Sequence, residues 1–262
     1  MAKHFRSIFI SDVHLGTPDC QAELLLEFLR EHESEYLYLV GDIFDFWKIR
    51  YSMTWPRVKN DLVNLVIEKA NSGTRVVYVP GNHDELMRDF VDHDFNGIDL
   101  RQETVHKTAA GERLLILHGD AFDEVVRHHR FLDFVGNTMY EFIMIMSRNF
   151  NRVRKHFGFG YWSFANFVKY RFKEAVRYIE HFEHTAAAYA RKLGFDGIVC
   201  GHIHHPNNTK IHGVRYLNTG DWVEHCTALT EDAEGNLEII DWLQQRELRS
   251  VHAPPAPARR AA

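Results

Sequence analysis

Tyr36-Leu37-Tyr38-Leu39-Val40-Gly41-Asp42-Ile43-Phe44-Asp45 decides how this chain is to be read. Its first five residues are an apolar run of strand length, and the run breaks at a glycine followed by two carboxylates. Glycine lets the backbone turn sharply and approach whatever the carboxylates hold. The same grammar recurs on both sides. Phe5–Ile10 is an apolar run that leads into Asp12-Val13-His14, and Arg75–Val79 is one that leads into Gly81-Asn82-His83-Asp84. Between these strands, Ala22–Arg30 and Val58–Ala70 carry apolar residues at helical spacing. Thr17-Pro18 is the expected cap and first-turn proline of the first helix, and Gly73 the stop of the second. Such β–α–β alternation implies crossover units and a sheet covered by helices on both faces.

The second half reads differently. Val105–Thr108 and Arg113–Leu117 are expected strands around Ala109-Ala110-Gly111, and the latter runs into His118-Gly119-Asp120. From Ala121 to Leu193 there is no strand signal, only two helical stripes: Phe131, Val135, Met139, Phe142, Met146, then Val168, Phe172, Ala175, Ile179, Phe182. Strands return at Gly197–Cys200, followed by Gly201-His202-Ile203-His204, and at 210–211, 214–217, 227–229 and 237–242. The expected organisation is a core of residues 1–121 and 194–246, an inserted helical segment 122–193, and a disordered tail 247–262 rich in Pro, Ala and Arg toward its end.

Composition narrows the class. A hydrophobic fraction of 45% and a charged fraction of 26% are those of a globular protein. The net charge of −5 argues against general attraction to nucleic acid or anionic lipid. Cys20, Cys200 and Cys226 are odd in number and unpaired in spacing, which predicts reduced, buried thiols. No apolar run approaches the ~18 residues of a membrane span, and the N-terminal strand leaves no secretory start, so a cytoplasmic location is expected.

Five polar clusters thus fall at the carboxyl ends of apolar strands, where ligands of open α/β sheets gather. Asp12, His14, Asp42, Asn82, His118, His202 and His204 would offer mixed oxygen and nitrogen donors. That set is too rich in nitrogen for calcium or magnesium and lacks the thiolates of structural zinc. It suits manganese, iron, zinc or cobalt. Seven donors exceed the need of one ion, whereas two ions ~3.5–4 Å apart can share a bridging carboxylate and lower the pKa of a water between them. Any one cluster alone reads as readily as a turn or a hydrogen-bonded core histidine. Five in series do not.

The ordered series Asp-x-His, Gly-Asp-x-x-Asp, Gly-Asn-His-Asp, His-Gly-Asp and Gly-His-x-His resembles the metallophosphoesterase, or calcineurin-like, superfamily over most of residues 5–242. The resemblance implies an α/β layered sandwich, two β-sheets flanked by helices, with the helical segment as an inserted lid. It implies that Asp12, His14, Asp42 and His204 hold one metal ion and that Asp42, Asn82, His118 and His202 hold a second, two divalent transition-metal ions in all, manganese foremost with iron or zinc as alternatives. His83 would face the phosphate and protonate the leaving group, and Asp45 would orient that imidazole. Leu39–Trp47, His118–Asp123 and Asn218-Thr219-Gly220-Asp221-Trp222 are further similar to the UDP-2,3-diacylglucosamine diphosphatases of bacterial lipid A synthesis. That group usually carries arginine and glutamate where this chain has His83 and Asp45, so the resemblance is to a paralogous branch.

Between Ala121 and His181 there are ten Lys/Arg and six Asp/Glu, a basic segment in an acidic chain. Arg152, Arg154, Tyr161, Trp162 and Lys169 are the expected readers of an anionic small-molecule substrate, such as a lipid-linked nucleotide. A basic helix pair with apolar residues would also suit peripheral contact with the inner face of a membrane. For any single residue a solvated helix face is the plainer account, and for the Phe/Met stripe a packing seam. Three functions follow: a dimetal phosphoesterase cleaving a pyrophosphate or phosphodiester bond, with UDP-2,3-diacylglucosamine as the best single substrate; a phosphodiesterase of soluble nucleotides or nucleic acid; and a non-catalytic scaffold of the same fold. The absence of a long basic stripe weighs against nucleic acid as a stable partner.

Overall fold

Ser7-Ile8-Phe9-Ile10 is buried at every residue, which a strand achieves only when both of its faces are covered. The computed structural model, which describes residues 3–51, 55–124 and 164–252, shows what covers them. Strand β1 (Lys3–Ile10) lies parallel to β2 (His32–Val40), and β2 to β3 (Arg75–Val79). The crossovers are α1 (Ala22–Glu31) and α3 (Arg57–Asn71), with the one-turn helix α2 (Phe46–Ile49) between them. Strands β4 (Asp94–Phe95), β5 (Ile98–Leu100), β11 (Thr227–Glu231) and β12 (Leu237–Asp241) complete a seven-stranded sheet in the order β12-β11-β1-β2-β3-β5-β4. A second sheet holds β6 (Thr104–Lys107), β7 (Arg113–Ile116), β8 (Gly197–Cys200), β9 (Asn207–Ile211) and β10 (Val214–Asn218) in the order β6-β7-β8-β10-β9.

Alternation along the central strands builds two cores. Ile8, Ile10, Leu37, Leu39, Val76 and Tyr78 pack with Leu25, Phe28, Leu29, Leu62 and Val66 of α1 and α3. Their neighbours Phe9, Tyr38, Val40, Val77 and Val79 pack with Leu114, Ile116, Val199 and Leu217 of the second sheet. The face away from α1 and α3 is therefore covered by a second sheet, as the family resemblance implies, and not by helices. Cys20, Cys200 and Cys226 are all buried free thiols.

Three local expectations are corrected. Helix α1 starts at Ala22 with no side-chain cap. Thr17 instead turns its hydroxyl back to the His14 carbonyl at 3.1 Å, bracing the loop that carries His14. Residues 247–252 do not belong to a disordered tail, because α5 (Trp242–His252) includes them. Asp241 caps that helix by accepting the Gln244 N–H at 2.8 Å, and Arg246 and Arg249 pair with Glu27 and Glu31 of α1 at 3.2 and 2.5 Å. Long-range pairs of this kind leave no periodic trace in sequence. The third correction adds the hairpin β4–β5, turned by Asn96-Gly97 with both residues at positive φ (53° and 84°), a mark of two-residue hairpins.

The chain forms two compact units, residues 1–119 with 187–262, and 120–186. Within the second, Phe122 and Phe182 are buried edge to face at 5.7 Å, and the Tyr178 hydroxyl donates to Asp123 at 2.7 Å. The second apolar stripe lies along α4 (Phe164–Lys192), whereas the first lies outside the described residues. Arg152, Arg154, Tyr161 and Trp162 also lie outside them, as does the side chain of Lys169, whose backbone is in α4. Among the described residues no helix is long and apolar enough to cross a membrane.

Candidate metal centre

Six loops that follow β1, β2, β3, β7, β8 and β10 are stitched together by their backbones. Asp12 N–H donates to Gly41 at 3.0 Å, His14 N–H to Asp42 at 2.9 Å, Phe46 N–H to His83 at 3.2 Å, Gly201 N–H to His118 at 3.1 Å and Trp222 N–H to Asp12 at 3.1 Å. Side chains that are more than a hundred residues apart in sequence meet as a result. Asp12, His14 and His204 present donor atoms all within 4.8 Å of one another, and so do Asp42, His118 and His202. A third group of the same span is His14, Asp45 and His83.

Each buried aspartate commits one oxygen to the scaffold. Asp12 Oδ2 accepts the His202 N–H at 2.9 Å and the Ser11 hydroxyl, leaving Oδ1 3.2 Å from His204 Nε2. Asp42 Oδ1 accepts the His83 N–H at 2.8 Å, leaving Oδ2 3.3 Å from His118 Nε2 and 3.9 Å from His14 Nε2. The imidazoles are fixed in the same way. His118 donates Nδ1–H to the Val40 carbonyl at 2.9 Å, which sets the tautomer and leaves the Nε2 lone pair toward Asp42. Asp45 Oδ2 stands 3.5 Å from His14 Nδ1 and 3.1 Å from His83 Nδ1, so one carboxylate orients two rings.

The backbone bears the cost of this convergence. Asp12, His14, Asp42, His202 and His204 all have positive φ, between 50° and 71°. Such strain clusters where function over-determines geometry. Gly81 cannot be replaced freely, since a Cβ there would overlap the Asp42 carboxylate and the His118 ring.

Electrostatically the centre calls for positive charge. Burial opposes ionisation of Asp12, Asp42 and Asp45, yet the surrounding histidines hold all three below the usual carboxylate range. Burial likewise opposes protonation of His204 and His83, but their aspartate partners win, raising His83 and pushing His204 up to about 9. Among the described residues, Asp12 Oδ1 and Asn82 Oδ1 are buried without a hydrogen bond. Oxygens left bare beside convergent imidazoles fit a metal-binding donor set of hard and borderline ligands.

Sequence reasoning missed the outer supports. Asp84, fully buried, accepts N–H groups from Ile43 at 2.7 Å and Gly81 at 2.5 Å and the Tyr78 hydroxyl, clamping the second and third loops together. Burial and the neighbouring Asp42 push its carboxyl above the ordinary value. Asp221 accepts three successive N–H groups, from Val223, Glu224 and His225, and its Oδ2 lies 3.9 Å from His204 Nδ1. The signal for both was a carboxylate that closes a strand-end motif, at Asp84 of Gly-Asn-His-Asp and Asp221 of Asn-Thr-Gly-Asp-Trp.

The chain is similar to known proteins along most of its length. A UDP-2,3-diacylglucosamine hydrolase of Azotobacter vinelandii is 27% identical over 244 residues, covering 87% of this chain and 95% of that protein. One of Shewanella pealeana is 24% identical over 259 residues, covering 90% and 98%. One of Vibrio vulnificus reaches 33% identity over a shorter stretch of 120 residues, covering 44% and 47%. Among solved structures, the E. coli phosphoesterase YfcE superposes with a TM-score of 0.46 at 15% identity, covering 91% of this chain and 94% of that one. The calcineurin-like phosphoesterase profile matches residues 5–206, a span that holds all seven donors and the strands that carry them. The chain accordingly belongs to the calcineurin-like phosphoesterases and is a metal-dependent hydrolase.

Proposed function

We propose that this enzyme uses two divalent transition-metal ions, manganese foremost, to cleave a pyrophosphate bond in an anionic, nucleotide-linked substrate. UDP-2,3-diacylglucosamine is the substrate that the relatives' names point to. Asp12, His14, Asp42 and His204 would hold one ion, and Asp42, Asn82, His118 and His202 the other. The observation that carries this is the position of Asp42. One oxygen is tied to the His83 N–H, and the other lies between the imidazoles of both donor groups.

Bound there, the ions would neutralise phosphate charge and supply a water acidic enough to attack phosphorus at neutral pH. The chain's own residues do the rest. His83 delivers a proton to the departing oxygen, and Asp45 holds the ring for that transfer through Nδ1. The segment 122–193, with Arg152, Arg154, Tyr161, Trp162 and Lys169, binds the remote parts of the substrate and positions the phosphorus.

The test compares manganese-replete and chelated protein on UDP-2,3-diacylglucosamine, on nucleotide sugars without acyl chains, and on linear and cyclic nucleotides. Manganese-dependent turnover highest on the acylated nucleotide sugar is expected. Preference for linear or cyclic nucleotides would overturn the substrate, and at most one ion per chain in active enzyme would overturn the two-ion centre.

A further inference from the structure

Beside His83 the core opens into a cavity of about 330 Å³, walled by Phe46, Trp47, Arg50, Tyr51, Glu85 and Leu86, so that one cation and one carboxylate line it. Large apolar side chains scattered over a surface need no explanation, but these are grouped around one opening that also exposes His83. Trp47 is 45% exposed, Tyr51 84% and Leu86 59%. Arg50 is exposed and makes no ion pair among the described residues.

The wall and the imidazole are one construction. Asp45 accepts the Lys48 N–H at 2.8 Å and so caps α2, the single turn that carries Trp47. The same carboxylate stands 3.1 Å from His83 Nδ1. The Trp47 ring then lies against the His83 ring, with centroids 4.2 Å apart and planes tilted by 35°. A flat apolar ring is thereby fixed against the His83 imidazole.

Stereochemistry says which half of the substrate belongs there. In phosphoryl transfer the incoming and departing oxygens lie roughly in line on opposite sides of phosphorus. The water oxygen forms the new P–O bond and loses a proton. The opposite P–O bond breaks, its electron pair leaves with the departing oxygen, and that oxygen takes a proton. A group that protonates the departing oxygen must stand on the departing side.

From this we infer that the cavity is the leaving-group subsite, selecting a departing group that carries a ring on a phosphate. The ring face lies against Trp47 and the charge is met by Arg50. The inference rests on the reading that His83 protonates the leaving group. A nucleobase and a hexose both present such a face, and the competitors below distinguish them. Specificity for the departing half would then reside in α2 of the core and not in the insertion.

The experiment uses the full-length, manganese-replete enzyme hydrolysing bis(p-nitrophenyl) phosphate. Competitors are uridine monophosphate, glucosamine 1-phosphate, glycerol 3-phosphate and inorganic phosphate. A ring-bearing phosphate should inhibit at least ~10-fold more tightly than glycerol 3-phosphate, and whichever ring does so identifies the source. Trp47→Ala should weaken that competitor by roughly tenfold or more, the usual loss for a stacked ring, while inhibition by inorganic phosphate stays unchanged. Trp47→Phe should retain most of the affinity. Ring-bearing phosphates no better than glycerol 3-phosphate in the wild type would overturn the subsite without recourse to any variant. Equal weakening of all four competitors in Trp47→Ala would overturn it too. His83→Ala separates the two claims. On an alkyl phosphodiester, whose poor leaving group needs the proton, unchanged turnover sinks the leaving-group assignment even if a ring preference persists, whereas slow turnover without ring preference sinks the subsite alone.

Discussion

Asp84→Ala tests whether the centre is held by carboxylates that never touch the ions. In the native fold this one buried side chain accepts the N–H of Ile43 at 2.7 Å, the N–H of Gly81 at 2.5 Å, the Tyr78 hydroxyl, and more weakly the Asp42 N–H at 3.3 Å. Alanine leaves three close donors buried without an acceptor, each worth about 1–3 kcal/mol. A gross loss of about 3–9 kcal/mol is reduced because a buried charge beside Asp42 is also removed. A net loss of about 3 kcal/mol is expected, which a domain of ordinary stability, ~5–15 kcal/mol, survives. Urea unfolding of the full chain measures it. Because Asp42 and Ile43 sit in the loop that Asp84 holds, metal content should fall as well. Tyr78→Phe removes one donor together with its need, and should cost at most ~1 kcal/mol with metal retained. An Asp84→Ala protein within ~1 kcal/mol of wild type, with both ions bound, would refute the clamp.

Three further outcomes are expected. His83→Ala should slow turnover by roughly 10²–10⁴ while leaving metal content near wild type, and loss of the ions by elemental analysis would contradict the role given to it. Asp42→Asn should lower occupancy at both ion sites together, and selective loss of one ion would show that Asp42 does not bridge. Glu231 is a separate case, far in sequence from the donors. Burial opposes its ionisation, yet hydrogen bonds from His106, Ser7 and the Ala109 N–H hold its carboxyl below the ordinary value. A folded-state value below the unfolded one gives stability that is present at neutral pH and lost as pH falls below about 4.5. Glu231→Gln should cost roughly 2–4 kcal/mol at pH 7 and flatten that acid limb, and an acid limb unchanged in urea titrations would disprove the linkage.

Much of the architecture was legible because it rests on short-range chemistry. Arg75–Val79 and Gly197–Cys200 are strands with the bounds their apolar runs imply. They are buried on both faces, so no polar alternation blurs their ends. What covers the second face was not legible from alternation, since a sheet and a helix layer demand the same apolar residues from β1 and β2. The hairpin at Asn96-Gly97 and the cap at Asp241 do carry local signals, an Asn-Gly turn and an aspartate at a helix start. The ion pairs that bind α5 to α1 carried none, because they join Glu27 and Glu31 to arginines more than two hundred residues away.

At the centre, residue type was legible from the strand-end motifs, whereas the roles given to Asp12, Asp42 and Asp45 came only with the family resemblance, and Asp84 and Asp221 received none. Asp12 and Asp42 look no different in sequence from Asp45, Asp84 and Asp221, for all five follow apolar strands. The folded chain separates them by where their oxygens go. Asp12 and Asp42 each tie one oxygen to a backbone N–H and leave the other facing imidazole, the arrangement of a ligand held in place. Asp84 and Asp221 spend theirs chiefly on donors within the loops, the arrangement of a brace. Asp45 does both, capping α2 while orienting His14 and His83. That division bears on the positive φ of Asp42, which Asp84 holds through the Asp42 and Ile43 N–H groups. A loop allowed to relax would carry Asp42 out of this strained region, and the Asp84 clamp opposes it. The strain at Asp42 and the buried carboxylate beside it are therefore one device, with Asp84 supplying the rigidity that this backbone conformation requires.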